Sequence, residues 1–424
     1  MSFNPLDEKP IKQDSWFVDW KKLYPKPYDK MEVDPYTKVR IILMNGTEFE
    51  QNWFYHNFAR HCTDNNLRRE IALIRRSEQQ QQKCISYLKP IDETILETTI
   101  SYEQLAVDLT ALMARRERDA YVKKSLDFAL LEDFDHLYRY SDLLEMEEGV
   151  KGETLVGGYT EIMPGRPTIS EHRYPYDDVR RGIKNNKADM LTKLQTAIIT
   201  AAEQQTMNYY MNLGTFYRGS DLGRRLYLEI AMIEEQHVTQ YESLMDASAT
   251  WLECALLHEF AECYLYYSLL EDETSENVRL IWEAHLRQEI AHLHKVSELI
   301  QKYEKKDARQ LLSGGEFPEL IAFNKNAEAN KSYIRNILTR TVNNSAMLEE
   351  IVPLKEMPTD YEFYKYNDTV NRSPAYVASH DVIDKYILEA GEDYRFEEQP
   401  HPVKALRNRL VDNIEVGRRV GKDK

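Results

Sequence analysis

The chain has little glycine, proline or cysteine, and each shortage removes a class of fold. Its 424 residues include only 15 glycines, 15 prolines and 4 cysteines. With so few helix breakers beside abundant Glu, Lys, Leu and Ala, long helices are favoured over strands and turns. No two of the cysteines form a C-x-x-C pair, which excludes a zinc knuckle and a rubredoxin-type iron centre. Four scattered thiols are expected in a reducing compartment.

The chain also lacks an excess of basic residues and any long apolar run. Its net charge of −16 argues against nucleic acid and against anionic membrane surfaces as partners. No apolar run approaches the roughly 20 residues of a transmembrane helix. The opening residues, MSFNPLDEKPIKQ, contain no apolar core of the signal-peptide type. We therefore expect a cytoplasmic protein with neither a nucleic-acid nor a membrane partner.

What the sequence does contain is a repeated pairing of a histidine with a carboxylate three residues earlier. Three histidines share this arrangement, and each also follows a second glutamate by 33 or 34 residues. The three sets are Glu103 with Asp133 and His136, Glu203 with Glu234 and His237, and Glu259 with Glu289 and His292. Aligning the first two histidines also aligns Tyr140 with Tyr241 and Leu143 with Leu244. The chain therefore contains an internal repeat of helical hairpins.

Periodicity of about 3.6 residues and the breakers between periodic segments predict four helical hairpins, at 48–88, 93–147, 187–246 and 249–305. The predicted organisation is an extended arm at 1–47, hairpins one and two at 48–147, a crossover segment at 148–186, hairpins three and four at 187–305 and a C-terminal extension at 306–424. The breaks within hairpins one, three and four are HCTDNN, GTFYRGSD and EDETSEN, and Ser220 or Asp221 is the expected N-cap in the second of these. Further helices are expected at 317–343 and 402–416.

The first hairpin repeats the pattern imperfectly. EIALIRRSEQ at 70–79 aligns with EIAMIEEQHV at 229–238, which places Arg75 at the position of Glu234 and Glu78 at that of His237. In this register a ligand pair is lost or replaced by a salt bridge, and the guanidinium, which stays cationic, would occupy or repel one metal position. Chance similarity between two helices is the alternative.

The spacing suits a carboxylate-bridged dinuclear metal site. Such a site draws one Glu from each of two helices and Glu-x-x-His from each of the other two helices of a bundle. Residues three apart lie on one helix face, so the imidazole can bind one ion while the carboxylate reaches towards the other. Hairpins two, three and four each supply one half of such a site.

These residues resemble the ferritin-like superfamily and, within it, the rubrerythrins, over roughly 48–305. The pair Glu259 and Glu262 in HEFAE is similar to the doubled glutamate of the rubrerythrin third helix, which is linked there to redox-dependent metal movement. The resemblance implies an all-α fold of two ferritin-like four-helix bundles that hold two iron ions, with Mn/Fe as a variant. The implied ligands are Glu103, Asp133, His136, Glu203, Glu234, His237, Glu259, Glu262, Glu289 and His292, with no catalytic residues beyond them.

Two departures from the rubrerythrin pattern matter. The chain has no rubredoxin domain, so its electron donor must be another protein, such as a rubredoxin or a ferredoxin. Asp133 stands where Glu is expected, and its shorter reach would weaken a bridge; Glu132 is the substitute ligand.

The lengths of the links predict which hairpins share a bundle. In the ferritin-like arrangement the chain must run back along the bundle, nearly 30 Å, between its second and third helices. The link DASAT at 246–250 is too short for that, whereas the 39 residues of 148–186 are long enough. This pairs hairpin two with three and hairpin one with four, like a domain-swapped rubrerythrin dimer fused into one chain. The alternatives are an ordinary up-down-up-down bundle of three and four, or a swap between two chains, which leaves a homodimer open.

The expected function is reduction of peroxide or dioxygen at a non-haem di-iron or Mn/Fe centre. One alternative is an oxidase or oxygenase acting on a small organic substrate, with 157–178 as a lid or pocket wall. The other is a non-catalytic iron-handling or interaction protein. Several tyrosines are expected near the sites, as packing residues or as donors of hydrogen bonds or electrons; they are Tyr209, Tyr210, Tyr264, Tyr266 and Tyr267.

Overall fold

The computed structural model describes residues 3–162, 181–341, 344–346, 351–353 and 388, and most of these residues are helical. The described helices are α1 (Pro35–His61), α2 (Asn65–Ser86), α3 (Ile95–Arg116), α4 (Ala120–Glu148), α5 (Gly152–Leu155), α6 (Met190–Phe216), α7 (Asp221–Glu242), α8 (Trp251–Asp272), α9 (Glu276–Glu304), α10 (Ala308–Leu311) and α11 (Phe323–Thr341). Two short strands, β1 (Asn344–Ala346) and β2 (Ile351–Pro353), pair antiparallel. The predicted all-α class is confirmed. None of the helices described is long and apolar enough to cross a membrane.

The breaks within the hairpins lie where turn-forming residues predicted them, and side-chain caps explain the helix starts. The Asp64 carboxylate accepts a hydrogen bond from the Leu67 amide at the start of α2. Ser220 Oγ accepts one from the Gly223 amide at 2.9 Å, so Ser220 is the N-cap of α7. Thr250 begins α8 with a capping box. These caps satisfy amides that have no partner within their own helix.

The first helix begins at Pro35, well before the predicted start at 48. Asp34 caps it by accepting a hydrogen bond from the Tyr36 amide at 2.8 Å, and Pro35 has the backbone angle that a first helical position needs. The apolar run VRIILM at 39–44 then supplies buried residues. Of the predicted arm, only the part before Pro35 is non-α-helical, with two 3-10 turns at Gln13–Ser15 and Trp20–Lys22. The predicted helix at 402–416 lies outside the described residues.

The chain divides into two compact units, of which the first comprises Met1–Thr94, Arg181–Gln205 and Tyr241–Asn326. In it, α1 packs on α2 and α8 packs on α9, and these two hairpins meet through α1 with α8 and α2 with α9. Arg40 on α1, fully buried, lies 2.7 Å from the carboxylate of Asp272 at the end of α8.

The second unit comprises Ile95–Arg180, Thr206–Gln240 and Ala327–Lys424. Within it α3 packs on α4, and α5 contacts both. Arg115 on α3 donates a hydrogen bond to Asn330 on α11 at 2.7 Å. Helix α6 runs unbroken through the boundary between Gln205 and Thr206, so its two halves are assigned to different units.

Candidate metal centres

Carboxylates and imidazoles collect in two buried clusters. We call the first the first-unit cluster; it contains Glu48, Glu78, Glu259, Glu262, Glu289 and His292. The second-unit cluster contains Glu103, Asp133, His136, Glu234 and His237. Every member of both clusters is buried. Nine of the ten ligands named from the sequence are among these residues, and the tenth, Glu203, is buried on α6 in the stretch assigned to the first unit. Glu48 was not foreseen, and Glu78 was expected in another role.

In the second-unit cluster two overlapping sets of ligand atoms share Glu234. The sets are Asp133, Glu234 and His237, and Glu103, His136 and Glu234, and within each set the ligand atoms lie within 4.8 Å of one another. Glu234 Oε1 is 2.9 Å from Nδ1 of His136, and its Oε2 is 3.2 Å from Nδ1 of His237. The two carboxylate oxygens thus face different imidazoles. A carboxylate placed in this way can bridge two ions.

A further carboxylate holds the second imidazole from its other side. Nε2 of His237 lies 2.9 Å from Glu132, while its Nδ1 lies 3.2 Å from Asp133. A carboxylate on the ring nitrogen that does not bind a metal fixes the tautomer and orientation of a ligand histidine. The contact of Glu132 is therefore that of an orienting residue, whereas the sequence suggested it as a substitute ligand.

The electrostatics of the second-unit cluster distinguish Glu234 from the neighbouring carboxylates Glu103 and Asp133. Burial raises the pKa of Glu103, and the nearby Glu234 raises it further. Burial also raises the pKa of Asp133. Burial opposes ionisation of Glu234 too, but hydrogen bonds from His136 and His237 outweigh it and lower its pKa. Glu234 is consequently an anion between two imidazoles.

The first-unit cluster has the same plan with fewer imidazoles. Its two sets are Glu78, Glu259, Glu289 and His292, and Glu48, Glu78 and Glu262, and ligand atoms within each set again lie within 4.8 Å of one another. Glu78 is the shared carboxylate here, and its Oε1 lies 2.8 Å from Nδ1 of His292. Five carboxylates and one imidazole therefore form this cluster.

Burial raises the pKa of four carboxylates in the first-unit cluster. It raises the pKa of Glu48, Glu259 and Glu262, and neighbouring carboxylates add to the effect. Burial and the charge of Glu289 raise the pKa of Glu78 to about 7. So many carboxylates in one buried space cannot all ionise without a counter-charge. A divalent cation supplies that charge and displaces the protons.

Several buried carboxylate oxygens in the two clusters lack hydrogen bonds within the described part of the chain and are therefore available to bind a metal ion. Both carboxylate oxygens of Glu262, Oε2 of Glu48, Oε2 of Glu103 and Oδ2 of Asp133 are buried and accept no hydrogen bond from the residues that the structure describes. Each such atom costs about 1–3 kcal/mol of stability when nothing binds it. Carboxylate and imidazole donors together suit iron and manganese. The residues of both clusters therefore fit metal ions.

The repeat continues into the first hairpin, three residues out of the predicted register. Glu48 precedes Glu78 by 30 residues and Gln81 by 33, and these are the spacings of the other three sets to within one residue. Glu78 thus stands at the carboxylate position and Gln81 at the histidine position. The predicted register, which put Glu78 at the histidine position, is wrong because it followed the apolar match of EIALI with EIAMI. The spacing rule that linked the histidines to their glutamates would have found both Glu48 and Gln81.

Arg75 forms no ion pair with a carboxylate of the first-unit cluster among the described residues, and its side chain is partly exposed. The pKa of the exposed His56 is lowered by partial burial and by the charge of Arg75. The salt bridge considered from the sequence is therefore not formed within this part of the chain, and the effect of Arg75 on metal binding stays a prediction.

Phenols donate hydrogen bonds to carboxylates in both clusters. Tyr210 donates to Glu103, and Tyr266 donates to Glu48. Tyr55, which the sequence did not single out, donates to Glu259. Each bond satisfies one oxygen of a carboxylate, so the hydroxyl groups hold the ligand side chains in place.

The other three tyrosines named from the sequence have different contacts. Tyr264 donates a hydrogen bond to the backbone carbonyl of Glu319. Tyr267 stacks on Phe3 with ring centroids 4.2 Å apart, and Tyr209 stacks on Tyr102 at 4.3 Å. Their rings serve packing, as the more conservative interpretation of the sequence held.

A tryptophan from the N-terminal segment covers the imidazole of the first-unit cluster. The Trp16 ring meets His292 edge-on, with centroids 4.7 Å apart and planes at 85°. Its backbone carbonyl accepts hydrogen bonds from Gln288 at 2.7 Å and from Ser77 at 3.3 Å. Residues before α1 are therefore anchored on both α2 and α9 beside the cluster.

Comparison with protein-family models, with curated proteins and with solved structures finds no match to this chain.

Proposed function

We propose that the second-unit cluster holds two iron ions, or one manganese and one iron, and that the protein is a rubrerythrin-like oxidoreductase that reduces peroxide or dioxygen. Glu234 carries this proposal, because its two carboxylate oxygens face two different imidazoles, at 2.9 and 3.2 Å. Adjacent redox-active ions would supply the electrons for reduction of an oxygen–oxygen bond.

Each side chain of the cluster has a distinct part in this proposal. Glu234 bridges the two metal positions, and His136 and His237 are terminal ligands. Glu103, Asp133 and Glu203 compensate the positive charge. Outside this set, Glu132 orients one imidazole and Tyr210 holds one carboxylate in place.

The same proposal includes two ferritin-like four-helix bundles. Hairpins one and four would form one bundle, which is supported by the contacts of α1 with α8 and of α2 with α9. Hairpins two and three would form the other, which is supported by the ion pairs of His136 with Glu234 and of His237 with Asp133.

The first-unit cluster would hold metal as well, but with a different preference. Gln81 replaces the second imidazole and donates a hydrogen bond to Glu289. Five carboxylates with one imidazole form a harder, oxygen-rich set, which suits manganese better than the second-unit set does. Distinct metals in the two clusters are therefore part of the proposal.

The electron donor in this proposal is a separate protein of the rubredoxin or ferredoxin class. The four cysteines are all free thiols, and two of them are buried in the helices. Most of the pocket wall of the oxygenase alternative, 163–178, lies outside the described residues.

Metal analysis of protein purified without added metal, followed by peroxide addition to the reduced form, tests the proposal. We expect iron, with or without manganese, a near-ultraviolet absorption of the oxidised centre, and rapid stoichiometric consumption of peroxide. Slow reaction with a retained oxidised organic ligand would favour the oxygenase. Metal that binds but does not react would favour iron handling, and absence of metal would contradict every enzymatic proposal.

A further inference from the structure

Tyrosine rings form a continuous row from the second-unit cluster to the turn between α6 and α7. The ring of Tyr210 is 5.6 Å from that of Tyr227, which is 5.1 Å from that of Tyr217. Tyr140 packs beside the row, 5.2 Å from Tyr210 and 4.9 Å from Tyr227. All these centroid distances are those of directly contacting aromatic pairs.

The two ends of the row differ chemically from its middle. Tyr210 donates its phenolic hydrogen bond to Glu103, and Tyr217 donates its own to Glu147. In the middle, Tyr227 is bonded to the hydroxyl of Thr99 at 2.7 Å, and a hydroxyl is a poor proton acceptor. The Tyr140 hydroxyl is buried and has no hydrogen-bond partner among the described residues. Of these four phenols only Tyr210 and Tyr217 donate to a carboxylate, and of the two carboxylates only Glu147 lies outside the proposed metal set.

Both ends of the row are buried, but only one adjoins exposed residues. Tyr210 is completely buried and bonded to a residue of the metal set. Tyr217 is 6% exposed and lies between Phe216, which is 54% exposed, and the exposed Arg218. The row thus runs from the cluster to the edge of the fold.

We propose that Tyr217 is the stopping point of an electron path from the edge of the fold to the second-unit metal centre, with the rings of Tyr227 and Tyr210 as the bridge between them. This inference rests on the proposed function, which supplies an oxidised metal centre as the electron acceptor. The one-electron donor at the surface is the separate electron-transfer protein of that proposal.

The electrons and protons balance at Tyr217. Tyr217 gives one electron to the oxidised centre across the rings of Tyr227 and Tyr210 and releases its phenolic proton to Glu147, which leaves a neutral tyrosyl radical on Tyr217. The external donor finally reduces the Tyr217 radical, and Glu147 returns the proton. The net result is one electron moved inward.

The test uses the full chain loaded with Fe(II), oxidised with hydrogen peroxide without any reductant. Electron paramagnetic resonance of protein containing ring-deuterated tyrosine identifies a tyrosyl radical, and mass spectrometry of a nitroso spin-trap adduct locates it. In the unaltered chain we expect the adduct on Tyr217. In Tyr217→Phe we expect no adduct there, and ascorbate should re-reduce the centre about tenfold more slowly, a barrier increase of about 1.4 kcal/mol.

Three variants separate the path from simple packing. Glu147→Gln keeps a hydrogen-bond acceptor but removes the proton acceptor, so it should behave like Tyr217→Phe. Tyr227→Phe keeps the bridging ring and Tyr140→Phe keeps the flanking one, so both should retain the radical on Tyr217. Circular dichroism of each variant verifies the fold.

The outcomes distinguish failure of the path from failure of the function. If the chain binds metal and consumes peroxide, yet forms no tyrosyl radical or responds equally to Tyr217→Phe and Tyr140→Phe, the path is wrong and the function stands. Loss of the Tyr217 adduct in Tyr227→Phe would overturn the bridging role. If metal analysis finds no metal, or peroxide is not consumed, both proposals fail together.

Discussion

The carboxylate of Glu78 lies 2.8 Å from Nδ1 of His292, although the two residues belong to the first and the last of the four hairpins. Both side chains are completely buried. The contact joins α2 to α9 within the first unit and places a carboxylate of one hairpin in the ligand set of the other. Neither hairpin alone contains that set, so the cluster depends on their packing.

The histidines of the second-unit cluster should depend on each other for metal binding. His136→Ala and His237→Ala are each expected to remove the same dinuclear centre, because each deletes a ligand next to Glu234. Changes outside the ligand set already cost roughly 10–100-fold in metal affinity, and loss of a ligand should cost at least that. Metal content per chain, measured by mass spectrometry after gel filtration, checks the expectation.

His292→Ala is the control for this pair, and it should leave the metal of the second-unit cluster in place. Retention of that metal in His136→Ala combined with its loss in His292→Ala would overturn the proposed pairing of hairpins two and three. Buried carboxylates repel one another when no metal is bound, so the helicity of each variant must be measured first.

Glu78, and not Arg75, should decide whether the first-unit cluster binds metal. Glu78→Gln removes the charge of the carboxylate that both ligand sets share, and metal affinity there should fall by at least 10–100-fold. Arg75→Gln alters a partly exposed residue outside the cluster and should leave affinity unchanged. Titration with Mn(II), followed by electron paramagnetic resonance of the free ion, compares the two variants. Equal losses in both would contradict the assigned register.

The stability of the metal-free protein should fall as the pH rises from about 4.5 to about 7. Glu78 has a pKa raised from 4.5 to about 7 in the folded chain, so the folded state holds a proton that the unfolded state has lost. The free energy of unfolding then decreases by up to about 1.4 kcal/mol per pH unit for such a group. His237 and His292, whose pKa values are raised by carboxylates despite burial, act with the same sign as the pH rises further through their folded pKa values. Glu234, whose pKa is lowered, opposes them only in the more acidic range.

Urea unfolding at a series of pH values, with and without metal, measures this dependence. Bound metal requires deprotonated ligands, so its stabilisation grows as the pH rises and should offset or reverse the trend. A metal-free protein that becomes more stable between pH 5 and pH 7 would contradict the protonation assigned to the first-unit cluster.

Arg40 should be among the most sensitive positions of the first unit. Arg40→Met removes a completely buried guanidinium that pairs with Asp272 and Glu273. The orphaned carboxylates should cost about 3–5 kcal/mol of stability. Arg287→Met, which breaks an exposed pair with Glu283, should cost less than about 1 kcal/mol. Urea midpoints that differ little between the two variants would show that the Arg40 network contributes little.

The sequence revealed the helical hairpins and most cluster members because their signals are local and repeated. A carboxylate three residues before a histidine marks one helix face, and the breakers mark where each hairpin turns. Ser220 was an expected cap and is one. Such features depend on neighbours within one or two helical turns, so they can be read without knowledge of the packing.

The missed features depend on packing or on a change of residue type. The first hairpin has Gln81 where the other three hairpins have a histidine, so a search based on histidine did not detect it. The distance of Gln81 from Glu48 nevertheless follows the repeat. The start of α1 was placed too late because the capping by Asp34 and Pro35 was overlooked. The contact of Tyr55 with Glu259 joins helices about 200 residues apart in sequence, and no local pattern encodes it.

The edge-on contact of Trp16 with His292 makes the N-terminal segment part of the first-unit cluster. Trp16 is only 3% exposed, and its carbonyl is bonded to side chains of both α2 and α9. Trimming the chain to its helical body, beginning at Pro35, would open the wall beside His292 to water. Recombinant forms that differ only before residue 34 would then differ in the solvent access of a buried imidazole.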